Sequence, residues 1–187
     1  MNANVALWHG EHANFMRLLG LLEEQVDTFR DGGTPNYGLM RDIVFYLSHY
    51  ADRFHHPRES VAFERLAQRD PGMNAPLARL QQEHRVIAAS GNALLERLRD
   101  AEVLDVVPRH AIEAAASTYL LYYRHHLATE DRDVLPRADE LLTEEDWAAV
   151  ADGVPQAPDP LFGDAADRRL RELRRHIARE AAAGGAA

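Results

Sequence analysis

Four histidines and two glutamates recur in this chain at matched intervals. His12 and His84 are 72 residues apart, His55 and His126 are 71 apart, and Glu59 and Glu130 are also 71 apart. Each half therefore carries a lone histidine followed, one segment later, by His-x-x-x-Glu. On a helix an i, i+4 pair shares one face about a turn apart. An imidazole can then hold one metal ion while the carboxylate reaches toward a neighbouring ion. Two such halves facing each other supply four imidazoles and two carboxylates, the donor set of a dinuclear centre. Local sequence repeats the pattern weakly, with Glu11-His12 against Glu83-His84 and Arg53 against Arg124.

Singly, these residues read otherwise. A histidine in an apolar stripe is ordinarily a hydrogen-bonded core residue, and His-x-x-x-Glu on a helix is often a surface ion pair. Together, six polar groups buried without Lys or Arg in the same stripes would cost several kcal/mol each. Coordination removes that cost for all six at once. Mixed imidazole and carboxylate donors suit iron, manganese or zinc.

Helices must position these residues. One apolar stripe runs Val5, Trp8, Phe15, Leu19, Leu22, Val26, Phe29, with His12 in its gap, and predicts a helix over about 4–30. Asp31 to Pro35 stop it. A second runs Tyr37, Met40, Val44, Leu47, Ala51 and on through His55, Glu59, Ala62 and Leu66, closed by Asp70-Pro71-Gly72. The third reads Leu77, Leu80, His84, Ile87, Gly91, Leu94, Leu98. The fourth, after Pro108, reads Ile112, Ala115, Tyr119, Tyr122, His126, Glu130, Val134, Ala138. Four long helices with short breaks predict an all-α, up-down-up-down four-helix bundle over 1–142. Pro57 falls inside the second stripe. It lacks an N–H and clashes with the Arg53 carbonyl, so a kink or π-bulge is expected there, with two separate helices as the alternative.

Residues 143–187 read as a C-terminal helical extension. Thr143 caps a short acidic-started helix, 153–160 is a proline-rich linker, and an Arg-rich amphipathic helix follows through Leu170, Leu173 and Ile177 before a frayed Ala/Gly tail. That last helix reads as packed on the bundle, with docking to a partner or acidic membrane as the alternative.

Composition excludes whole classes. With no cysteine there is no disulfide, thiolate nucleophile or zinc finger. A net charge of −9 argues against nucleic acid as partner. All 21 basic residues are Arg, which reads as compositional bias. No signal peptide or membrane span is visible, so a cytoplasmic monomer or homodimer is expected.

His12, His55-His56-Pro57-Arg58-Glu59, His84 and His126-Leu-Ala-Thr-Glu130-Asp131, followed by Val134-Leu135-Pro136, resemble the hemerythrin-like HHE cation-binding domain over residues 5–150. The resemblance implies a four-helix bundle with two iron ions, oxo- or hydroxo-bridged and held by His12, His55, Glu59, His84, His126 and Glu130, with manganese or zinc as substitutes. It implies binding of, or reaction with, dioxygen, nitric oxide or peroxide, in sensing or in oxidative and nitrosative stress defence. Alternatives are catalase-like peroxide disproportionation, iron storage or handling, and a metal-free helical interaction module. Ferritin-like Glu-x-x-His is absent; only Asp52 before His55 comes near. Oxygen-carrying hemerythrins have a second histidine one turn after the third-helix ligand, where this chain has Ala88. An open or water-filled position is therefore expected, which favours a reactive or sensing centre over an oxygen carrier. They also end in His-x-x-x-x-Asp, so Asp131 competes with Glu130, which the 71-residue repeat favours. Di-iron proteins that repair iron–sulfur clusters are similar too, but carry a cysteine-bearing domain not seen here. His9, His49, His56, His125, Tyr119 and Tyr122 are alternative ligands or near neighbours of the centre. Tyr123, Phe15, Phe54 and Phe63 read as packing residues.

Overall fold

The computed structural model of the chain describes residues 1–104, 108–154, 156–163 and 168–184. Helix α1 (Ala3–Arg30) starts at Asn2, whose side chain accepts the Asn4 N–H, and ends at Asp31 and Gly32, where φ of +76° suits glycine. The second long helix begins as α2 (Tyr37–Tyr46), widens into a π-helical stretch (Leu47–His55) and continues as α3 (His56–Arg69). Asp70 leaves helical conformation, a 3-10 turn spans Pro71–Met73, and α4 (Asn74–Leu104) follows. The fourth comprises α5 (Arg109–Thr129), a second π stretch (Glu130–Val134) and α6 (Leu135–Leu141). The four pack as an antiparallel bundle, α1 beside α2 and α5, and α4 beside the same two.

The expected distortion at Pro57 is present, within a continuous helix. Its counterpart at Pro136 was not foreseen. Each proline stands two residues beyond a π stretch. An α-helix would leave each proline without its hydrogen bond and press its ring on the carbonyl four residues back, at Arg53 and at Arg132. The wider turn relieves that collision, and the chain instead bonds His56 N–H to the Ala51 carbonyl and Leu135 N–H to that of Glu130.

The interior is two apolar clusters separated by a polar layer. One holds Phe15 to Phe29 of α1 with Met40, Ile43, Val44, Ile87, Leu94, Tyr119 and Tyr123. The other holds Val5 and Trp8 with Ala62, Phe63, Leu66, Leu77, Leu80, Val134 and Leu135. On each long helix the histidines and glutamates picked out above sit where one cluster gives way to the other, so hydrophobic burial on both sides fixes the axial level of that layer.

The C-terminal segments pack on the bundle. Helix α7 (Glu144–Gly153) opens with a capping box between Thr143 and Asp146 and sets Trp147 edge-on to Trp8, ring centroids 5.4 Å apart. Asp159 accepts the N–H groups of Leu161 and Phe162 and the Tyr46 hydroxyl at 2.7–2.8 Å. A 3-10 turn (Arg168–Leu170) leads into α8 (Arg171–Gly184), and Leu170, Leu173 and Ile177 are buried in the first cluster. Pro155 of the linker and the tail at 185–187 lie outside the described residues. Among the described residues no helix is long and apolar enough to cross a membrane.

Candidate metal centre

Seven side chains from four helices meet in the polar layer. His12 comes from α1, His55 from the end of the first π stretch, and His56 and Glu59 from α3. His84 comes from α4, His126 from α5, and Glu130 from the start of the second π stretch. All seven are buried, with His84 the most accessible at 8%.

The imidazoles are oriented alike. Each turns Nδ1 outward to an oxygen. The hydrogen-bond partners are Asp131 for His12 (2.8 Å), Glu11 for His55 (2.6 Å), Ser60 for His84 (3.4 Å) and Glu83 for His126 (3.3 Å), while His56 Nδ1 lies 3.0 Å from Asp52 without a hydrogen bond. An Nδ1–H donated outward leaves the Nε2 lone pair facing the interior, the tautomer a metal requires. Nε2 of His12 and of His55 lie 2.9 Å apart, with Glu59 Oε1 at 3.2 and 3.1 Å from them. On the other side His84 Nε2 is 3.5 Å from Glu59 Oε2 and from Glu130 Oε1, and His126 Nε2 is 3.1 Å from Glu130 Oε1. Donor atoms about 3 Å apart are what surrounds one ion held at about 2 Å.

These atoms form two candidate ion positions. His12, His55 and Glu59 make one; His56, Glu59, His84 and His126 make the other, the ligating atoms of each lying within 4.8 Å of one another. Glu59 belongs to both, and Glu130 reaches His12 at 3.7 Å and His84 at 3.5 Å. The fit to a metal pair rests on buried atoms that protein cannot satisfy. Glu59 Oε2, both Glu130 oxygens and Nε2 of His56, His84 and His126 have no hydrogen-bond partner. Each such atom costs about 1–3 kcal/mol, which coordination would remove.

Without metal, charge balance keeps protons in the cluster. Burial opposes charging of His12, but hydrogen bonds to Asp131 and Glu59 and the charges of Glu59 and Glu130 outweigh it and raise its pKa to about 10. His126 rises to about 10 likewise, burial being overcome by Glu130 and Glu83. Burial acts against Glu59, yet His55, His12 and His84 hold it well below the usual carboxylate range. His56 is driven well below an ordinary histidine by burial and by the surrounding imidazoles.

The other candidates fall into place around this layer. Asp131 faces His9 (3.0 Å) and the outer edge of His12, whereas Glu130 faces inward. His49 stacks on Phe45 and bonds its carbonyl, and His125 is exposed beside Arg79. Tyr122 is 44% exposed; Tyr123 is the buried tyrosine, tilted over His56 at 5.8 Å between ring centroids. Tyr119 packs edge-on to Tyr123. Position 88 does not leave its side of the layer short of imidazole: His56 stacks there on His84, and both line a cavity of about 370 Å³ with Ala88, Asp52, Ser60 and Arg85. Glu11, Arg58 and Tyr50 were missed. Their traces in the sequence are the Glu-His pair repeated at 11–12 and 83–84 and the place of Arg58 within the 55–59 motif.

An antiparallel four-helix bundle with paired His/Glu groups buried at one level is a cation-binding helical protein. The profile of the hemerythrin HHE cation-binding domain matches residues 3–138, and the chain belongs to that family. Comparison with curated proteins gave no match.

Proposed function

We propose that the protein is a non-haem di-iron protein that binds or reacts with dioxygen, nitric oxide or peroxide, in sensing or stress defence. The observation that carries this reading is the set of buried Nε2 and carboxylate atoms without partners on three of the helices, next to the His12, His55 and Glu59 cluster that the first helix completes. In it His12 and His55 would hold one ion and His56, His84 and His126 the other, with Glu59 and Glu130 as the carboxylate ligands. Bound iron would supply a redox centre and a Lewis acid for a small ligand.

The chain's own residues support such work. The apolar clusters above and below exclude bulk water. The outward Nδ1 contacts hold the imidazoles at fixed orientation, so little reorganises when charge changes. The cavity at His56, His84 and Ala88 is a short way in for a molecule of a few atoms, and His84 is the most accessible of the seven groups.

The test is metal analysis with absorption spectra of purified protein after anaerobic loading. About two irons per chain, with ferric charge-transfer bands that change on adding peroxide or nitric oxide, are expected. Correctly folded protein with less than one iron per chain would refute the reading. Sustained oxygen evolution from peroxide would place the protein among peroxide-disproportionating enzymes, and a stoichiometric change among ligand-binding proteins.

A further inference from the structure

Behind His55 the chain buries a second charged cluster. Glu11 is 6% exposed and accepts three donor groups: Tyr50 O–H at 2.8 Å, His55 Nδ1–H at 2.6 Å and the Arg58 guanidinium at 2.9 and 3.1 Å. Arg58 is itself 5% exposed, and its Nε donates to the Phe54 carbonyl at 3.0 Å. Burying a carboxylate and a guanidinium is costly unless their geometry is satisfied, and here both Glu11 oxygens are committed. Bulk packing does not call for this arrangement; an apolar pair would fill the space at less cost.

The second half repeats it in weaker form. Glu83 stands immediately before His84 as Glu11 stands before His12, and it meets His126 Nδ1 at 3.3 Å. The intervals match: Glu11 to His55 is 44 residues and Glu83 to His126 is 43. Glu83 is half-buried, and its added partner is the exposed Arg79 at 2.9 Å in place of a buried arginine and tyrosine. The repeated unit is thus Glu-His on one helix and His-x-x-x-Glu on the next, with the first glutamate oriented on the second histidine.

We infer that Glu11 is a positioning residue for the metal centre, holding His55 in its Nδ1–H tautomer through a carboxylate locked by Arg58 and Tyr50, and that Glu83 does the same for His126 less tightly. The inference rests on the proposal that His55 and His126 are ligands. It makes the two ion positions unequal: the His55 side is fixed by a buried ionic clamp, and the His126 side by a half-buried carboxylate whose other partner is exposed. A glutamine at position 11 keeps the shape but offers one acceptor oxygen to three donor groups, so one or more of them must be left unpaired.

The experiment compares full-length wild type, Glu11→Gln, Glu83→Gln and Tyr50→Phe, each titrated with Co(II) against a competing chelator. Proton NMR of the cobalt proteins would follow the exchangeable Nδ1–H signals of the ligand histidines. Glu11→Gln should weaken cobalt binding by about 10–100-fold and displace one Nδ1–H signal. Glu83→Gln should have a smaller effect on a different signal, and Tyr50→Phe should move the same signal as Glu11→Gln by less. Unchanged affinity and signals in Glu11→Gln, with only a lower melting temperature of the metal-free protein, would overturn the inference. So would an equal or larger effect from Glu83→Gln. Should Glu11→Gln not fold, Tyr50→Phe decides, and an unmoved signal there overturns it. Failure of the wild type to bind cobalt would instead remove the ligand assignment itself.

Discussion

The imidazoles of His56 and His84 lie stacked, their centroids 4.3 Å apart and their planes 13° from parallel, although one belongs to α3 and the other to α4. Both offer a ring nitrogen to the same group of donors as His126 and Glu59. His56 thereby brings an imidazole to the side of the layer where Ala88 brings none. His56→Ala should lower metal content toward one ion per chain and leave the helical signal unchanged. His55→Ala and His126→Ala should each lose metal, while His176→Ala on α8 should not. Metal analysis with circular dichroism checks all four, and equal retention throughout would show that the ligand set is wrong.

Metal binding should release protons. In the metal-free protein His12 and His126 have pKa values raised to about 10 from 6.5, burial being outweighed by carboxylate partners. Coordination needs neutral imidazoles, so apparent metal affinity should climb between about pH 6.5 and 10. Stability of the metal-free protein should move the other way. A raised imidazole pKa contributes stability that is complete below 6.5 and is lost as pH rises toward 10. Urea denaturation of metal-free protein at pH 6.5 and 9.5 should show the higher midpoint at pH 6.5, and a calorimetric metal titration in two buffers should report the released protons.

Pro57→Ala removes the reason for the first π stretch by restoring an N–H and deleting the ring that would meet the Arg53 carbonyl. If the segment relaxes to an α-helix, residues before it turn by about 100° relative to those after it. His55 would then leave the layer. Metal affinity should fall by tenfold or more while helix content stays the same, and Pro136→Ala should act similarly through Glu130. Retained affinity in both variants would show that packing alone holds the π turns.

Asp159 ties the segment after α7 to the bundle by accepting the Tyr46 hydroxyl, and Tyr46 stacks on Tyr50 at 5.5 Å. Asp159→Ala leaves that buried hydroxyl and two backbone N–H groups without their acceptor, so a loss of about 1–3 kcal/mol is expected from denaturation curves. Metal stoichiometry should be unchanged, because none of the seven candidate donors is touched.

Much of this was legible in the chain because helices report themselves locally. The 3–4 spacing of Val5, Trp8, Phe15 and Leu19 depends only on which residues must leave water, and the breaks at Gly32 and Pro71 on backbone freedom, so the bundle and the axial level of the donor layer followed directly. His12, His55, His84, His126, Glu59 and Glu130 were visible because the two halves of the chain place them at matched intervals, and the structure buries all six in one layer. Tyr122 against Tyr123 was not, since adjacent helical residues differ by 100° in direction and only packing against Phe15 and His56 selects between them.

Sequence alone thus determined the candidate donor types, their pairing in halves and the helices that carry them. Tertiary structure decided what lies behind each donor. Glu11 reaches His55 across two helices, Asp131 backs His12 while Glu130 faces inward, and His56 is carried into the layer by a π turn. Those assignments depend on rotations of single residues and on contacts between segments distant in the chain. Hydrophobic periodicity sets which face of a helix is buried, but not which side chain on the neighbouring helix it will meet.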